Sequence, residues 1–223
     1  MGKLAVLTEK YPMLSKVMIT CCNLLNKSCH FGERGTKTNF KCDGLLQKVR
    51  VKIHGTNNTI FINRGARLKN CRIYINGNNC QITVGENCCL IDAEFYIEDD
   101  KSVIVIQRDT MICGKSQLAA IEGCSIVIGK QCLFSSNINL RTGDSHAIVD
   151  SNGIRINTSK NICIGDHVWI GNGVTILKGV TINENTIVGV GSIVSKPCSE
   201  SNCIIAGNPA TIIKTGINWK YER

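Results

Sequence analysis

Residues 162–194 read ICIGDHVWIGNGVTILKGVTINENTIVGVGSIV. Within them Ile164, Ile170, Ile176, Ile182, Val188 and Val194 fall six residues apart without a slip. Two positions before each stands a second small or β-branched residue, Ile162, Val168, Val174, Val180, Thr186 and Ser192. A helix would set residues six apart on nearly opposite faces, and an ordinary strand would alternate every second residue. A period of six fits a chain that makes a short strand, turns about a third of the way round and repeats. Each aliphatic then points into a narrow prism, as in a parallel β-helix.

The pattern extends upstream in a wider form. Ile62, Val84, Ile106 and Ile128 are spaced by 22 residues, each preceded two positions earlier by Ile60, Ile82, Ile104 or Ile126. Six residues on come Leu68, Leu90, Ile112 and Phe134. These are wider coils with a few extra residues at one corner. A sandwich of short strands is the rival, but its strands alternate every two residues and space less regularly.

Composition agrees with a solenoid. Aromatics are 5% of the 223 residues, prolines number three and glycines 21, which suits a tight interior with corners in left-handed backbone angles. The 14 cysteines form no CxxC pair, and Cys71, Cys80, Cys88, Cys132 and Cys163 lie at or near apolar repeat positions, so they read as reduced thiols of a cytoplasmic protein. No metal-ligand spacing is present, and no metal is expected. The net charge of +9 is scattered, without the aromatic-interleaved basic run of a nucleic-acid binder; it suits anionic small molecules or acidic sugars. No apolar run reaches membrane-spanning length.

Residues 1–50 lack the repeat. Leu14, Val17, Met18, Cys21, Leu24 and Leu25 follow helical spacing, which predicts a helix from about Glu9 to Lys27 that caps the open end of the stack. A helix lying on a membrane surface is the rival, with only Lys10, Lys16 and Lys27 to support it. Coils should occupy 51–196, interrupted by a polar loop at 141–153, and 197–223 should form a C-terminal loop and tail that packs back along the side.

Four histidines are present, His30, His54, His146 and His167. A neutral imidazole accepts a proton near pH 7, and a nearby carboxylate fixes its tautomer. His146 alone has that company, with Asp144 and Asp150 in the same loop. Trp169 precedes Ile170 in the repeat, and since the prism has no room for an indole its ring must point outward. There is no P-loop, no GxGxxG opening a helix and no serine elbow, which removes kinase, dehydrogenase and serine-hydrolase readings.

The stretch IGDHVWIGNGVTILKGVTINENTIVGVGSIVSK, followed by AGNPATIIK, resembles the C-terminal core of hexapeptide-repeat acyltransferases. Upstream, IVIGKQCLFSSNINLRTGDSHAIVD is similar to the segment bearing that family's catalytic histidine, and GTNNTIFI, INGNNCQITVG and GINW resemble the branch that O-acetylates capsular or lipopolysaccharide sugars. The resemblance implies a left-handed parallel β-helix, a homotrimer and acetyl-CoA bound in a groove between subunits. It matches His146 to the general base and Trp169 to the tryptophan beside the active site and the cofactor. It matches Asn172, Val190, Gly191, Ser195, Lys196 and Lys214 to positions along the cofactor. Thr211 departs from the pattern, standing where relatives often carry Lys or Arg for a phosphate.

The reaction so implied is attack of a sugar hydroxyl on the thioester, with a carbohydrate acceptor at Gln117, Arg141 and Asp150. Gln117 is also a candidate oxyanion donor. A nucleotide-sugar N-acetyltransferase is the alternative. A γ-type carbonic anhydrase would need a histidine pair five apart, which the sequence lacks, and an ice-binding solenoid would need flat threonine rows.

Overall fold

A computed structural model of the chain describes residues 12–25 and 29–222. After one helix, Pro12–Leu25, the chain winds through about eight turns of a left-handed parallel β-helix. The strands build three walls. Wall 1 runs from Cys29–Thr36 through Val49–Thr56 and Arg72–Asn76 to Asn139–Arg141, Thr175–Ile176 and Ile193–Val194. Wall 2 stacks Asn39–Cys42, Thr59–Ile62, Gln81–Val84, Val103–Ile106, Ser125–Ile128, Ile162–Ile164 and Thr181–Ile182. Wall 3 starts at Leu45–Gln47 and Arg67–Lys69 and passes Leu133–Phe134, Trp169–Ile170 and Ile187–Val188 to Cys203–Gly207.

The register explains the two periods. Ile60 pairs with Ile82, Ile82 with Ile104 and Ile104 with Ile126, a coil of 22; Trp169 pairs with Ile187, a coil of 18. Every aliphatic of both rows is buried, with Phe95 and Phe134 the largest side chains of the interior. The corners need left-handed backbone, and Asn, Asp and Gln fill many of them. At the corner between walls 2 and 3, Asn87, Asp109, Gln131, His167, Asn185 and Asn202 all have positive φ. They link along the stack, as where Asn87 Nδ2 donates to Asp109 Oδ1 at 3.2 Å. All fourteen cysteines are free thiols; burial pushes Cys132 up to about 12 and Cys71 and Cys88 to about 11.

Both ends correct the sequence reading. The cap was expected to fill residues 1–50, yet Cys29–Thr36, Asn39–Cys42 and Leu45–Gln47 already form a full coil. That coil hid because it is two residues short (Phe40 pairs with Ile60), and its wall-1 strand shifts register twice. The helix does close the edge below it. Asn23 Nδ2 donates to Gly44 O, and Leu46 N donates to Asn23 Oδ1, each at 3.0 Å. Two main-chain groups that would otherwise invite another strand are thereby satisfied. Residues 9–11, 26 and 27 of the expected helix lie outside the described residues.

At the other end, Cys198 bridges to Ile182 and Cys203–Gly207 pairs with wall 3, so the stack continues past residue 196. Ala210–Thr215 then folds back antiparallel, and the tail packs along the side with Trp219 buried. No helix among the described residues is long and apolar enough to cross a membrane.

Candidate active site

The polar interruption leaves the prism at the corner between walls 1 and 2 and returns at Ile162. Its base is tight: a Cβ at Gly143 would lie 2.2 Å from Ser159 Oγ and 2.6 Å from Ile121 Cδ1. Its outer half is a small hairpin. Val149 bridges Arg155, Ile156 N donates to Ile148 O at 2.8 Å, and Asp150 Oδ1 accepts the amides of Asn152 and Ile154 at 2.9 Å each.

Asn157, only 8% exposed, is the hub of this loop. Its Nδ2 donates to Asp144 Oδ2 and to His146 O, both at 2.8 Å. Its Oδ1 accepts from Ile148 N at 2.7 Å and Arg155 Nε at 3.2 Å. Two ion pairs then clamp the loop to the coils below and above. Arg155 reaches Glu122 at 2.7 Å, and Lys178 donates to Asp144 Oδ2 at 2.5 Å and to Asn157 O at 2.9 Å. The Lys178 ammonium, with Asn157 behind it, holds the Asp144 carboxyl below the usual carboxylate range; Arg155 does the same for Glu122.

Between these fixed points His146 is exposed, its main chain pinned and its ring unpartnered among the described residues. Accessible imidazole on a rigid backbone can take a proton from a bound ligand.

Trp169 stands elsewhere, on the outside of wall 3 and 38% exposed. Its neighbour is Trp219 of the tail, with ring centroids 5.9 Å apart. Trp219 stacks on His167 at 4.2 Å and donates its Nε1–H to His167 O at 2.8 Å. His167 Nδ1 is occupied by Asn185 Oδ1 at 2.9 Å, a corner role rather than a chemical one. Asn172, Val190 and Gly191 line the corner between walls 3 and 1, where Gly191 N donates to Asn172 O at 2.8 Å. Val190 is 75% exposed, and a Cβ on Gly191 would meet nothing within 4 Å. That edge is open.

No protein-family profile matches the chain. Its sequence is 33% identical over 141 residues to a polysialic acid O-acetyltransferase of Neisseria meningitidis, over 62% of this chain. The structure superposes on the crystallographically analysed polysialic acid O-acetyltransferase OatWY with a TM-score of 0.75 and 30% identity, covering 87% of this chain and 91% of that one. It also superposes on the polySia specific acetyltransferase NeuO with a TM-score of 0.81 and 29% identity, covering 88% and 84%. The chain belongs to the hexapeptide-repeat acyltransferases. Its match spans 65% of the length of the N. meningitidis relative and 38% of one from Escherichia coli O1:K1 / APEC.

For a member of this family, the expected site residues are only partly gathered within one chain. His146, Asp144 and Asp150 share the loop, but neither carboxylate meets the ring: Asp144 serves Lys178 and Asn157, and Asp150 shapes the hairpin tip. Gln117 and Arg141 adjoin on the outside of wall 1, Arg141 Nη2 donating to Gln117 Oε1 at 3.4 Å. Ser195 and Lys196 follow wall 1 and are exposed, and Lys214 lies on the terminal hairpin opposite Ile204. The sequence reading missed Asn157, Lys178, Arg155 and Glu122. One signal was available: Asp150-Ser-Asn-Gly is an Asx-turn string, which marks Asp150 as structural.

Proposed function

We propose that this chain transfers an acetyl group from acetyl-CoA to a hydroxyl of a bacterial surface polysaccharide or its precursor, with His146 as general base. The observation that carries the reading is the free imidazole of His146 on a loop clamped from both sides, in a chain whose relatives are polysialic acid O-acetyltransferases. A ring nitrogen of His146 takes the proton of the acceptor hydroxyl as that oxygen bonds to the acetyl carbon. The carbon–sulfur bond breaks, and the departing thiolate takes its proton from the imidazolium. The donor supplies the activated carbonyl and the leaving group. Trp169 walls the reacting centre against water, and Asp144 acts by holding the loop.

The open corner at Asn172, Val190 and Gly191 fits a long flexible donor arm, with Ser195 and Lys196 beside it and Lys214 toward its phosphates. These residues and His146 stand on different corners of one prism, so the site is read as shared between sister chains of a homotrimer. The hairpin supports that reading, since Ile148, Val149, Ile154 and Ile156 are between 53% and 63% exposed. A cytoplasmic location follows from the donor.

The test is incubation with labelled acetyl-CoA and polysialic acid. His146→Ala should lose about 10²–10⁴-fold in rate with unchanged circular dichroism and assembly. Turnover like wild type would remove His146 from the chemistry, and no label in any surface glycan would overturn the reading.

A further inference from the structure

Charge is sorted by wall. From Thr59 onward the strands of wall 2 carry no charged residue, and the coil strands of wall 3 carry only Arg67 and Lys69. Wall 1 is different. Its pairing sets two outward columns side by side, Arg50–Arg72–Glu94–Gln117 and Lys52–Tyr74–Tyr96–Ala119–Arg141. The Tyr74 and Tyr96 rings stack with centroids 5.2 Å apart and planes 18° from parallel, and His54 sets its edge on Tyr74 at 5.9 Å.

The acidic groups here are largely spoken for. Glu94 holds Arg72 at 2.6 Å, and Glu33 holds His54 at 2.8 Å and Lys52 at 3.6 Å. Glu98 accepts from the Tyr96 hydroxyl at 3.1 Å. The cations left over are Arg50 and Lys115, whose side chains have no partner among the described residues, and Arg141, which reaches only the neutral Gln117 amide. Two shallow depressions run together along this surface, one floored by Arg50, Tyr74 and Tyr96, the next by Arg72, Lys115 and Gln117 with Asp92, whose carboxylate accepts from the Asn70 amide. Arg141 at the upper end is the residue that enters the loop bearing His146.

We propose that the outer side of wall 1, from Arg50 to Arg141, is a docking track for an anionic polysaccharide, holding the sugars on one side of the residue that is acetylated. The inference rests on the acetyl-transfer reading above and specifies its acceptor as a charged polymer. Four coil steps of about 4.8 Å give the track a length of roughly 19 Å, enough for several linked sugars. Guanidinium forks suit the carboxylates of acidic sugars, and the edges of the stacked tyrosine rings give the sugars between them an apolar contact. The remaining positive field draws the polymer along the wall.

The test is equilibrium binding of long-chain polysialic acid to the full chain without acetyl donor, at several salt concentrations, with neutral dextran as comparison. Wild type should bind the acidic polymer with an affinity that falls as salt rises, and dextran much more weakly. Arg50→Ala combined with Tyr74→Ala should weaken binding about tenfold or more, and Arg50→Glu alone should also weaken it. In acetyl transfer the same changes should raise KM for the long polymer while altering turnover of a sialic acid dimer far less. Unchanged affinity in both variants would overturn the track, as would equal binding of dextran. So would a change of oligomeric size in Arg50→Glu, which would make wall 1 a contact between copies of the chain. Salt-sensitive binding lost in these variants, in a protein that labels no glycan, would leave the track standing and remove only the acetyl-transfer reading.

Discussion

Asn157 is the sharpest point at which to perturb the loop. Replacing it with alanine removes four hydrogen bonds at once, those to Asp144, the His146 carbonyl, the Ile148 amide and Arg155. Each is worth about 0.5–1.5 kcal/mol net, and the freed groups lie near water and are partly rehydrated, so the loss should total about 2–3 kcal/mol. The loss is local, because the base of the loop stays fastened by Lys160 N on Thr142 O at 2.8 Å and by the tight contact at Gly143. Native-state hydrogen exchange reads this directly. Protection of the Ile148 and Ile156 amides should fall roughly 30- to 150-fold, at a factor of ten per 1.4 kcal/mol. The amides of Leu140 and Ile164 in the stack should hold their protection. Acetyl transfer should fall with the loop, since His146 is anchored through the same side chain. Unchanged protection at Ile148 would refute the hub, and an equal drop in the stack would show that the loop supports the whole fold.

Three further outcomes are expected. Lys178 keeps the Asp144 carboxyl depressed, so the clamp is complete above the unfolded-state value and is lost as pH falls through the lower folded one. Intrinsic-rate-corrected protection at Ile148 should therefore stay flat from pH 7 to about 4 and decline only below that, and a decline already between pH 7 and 5 would count against it. Phe134→Ala empties a fully buried site between two coils and should cost about 3–5 kcal/mol in denaturant unfolding; a cost below about 1 kcal/mol would mean the interior collapses around the gap. A thiol reagent at neutral pH should label Cys21, Cys22 and Cys163 quickly, and Cys71, Cys88 and Cys132 only on unfolding, read by mass spectrometry of peptides.

The six-residue rhythm was legible because the prism interior admits few shapes, so Ile164 to Val194 had to repeat. The same constraint pushed Trp169 outward, as the sequence required. The first coil was not legible: Cys29, Phe31, Phe40 and Cys42 do its packing in place of a clear aliphatic row, at a spacing shortened by two. Within the loop, the sequence showed an imidazole among carboxylates. It did not show that Lys178, 34 residues beyond Asp144, would take that carboxylate, nor that Glu122, 33 residues before Arg155, would receive the guanidinium. Such partnerships are made by stacking one corner on another, and no local pattern announces them.

The interruption itself carries a lesson about tolerance. Ile126 pairs with Ile162 across 36 residues, where the coil before it closes over 22. Closing the longer excursion costs only about 0.4 kcal/mol more in chain entropy. The rungs above and below keep their alignment because each touches only its immediate neighbours. Such an architecture can lengthen, shorten or rewrite one bend while every other rung stays in frame, which leaves descent free to try new chemistry there without renegotiating the scaffold.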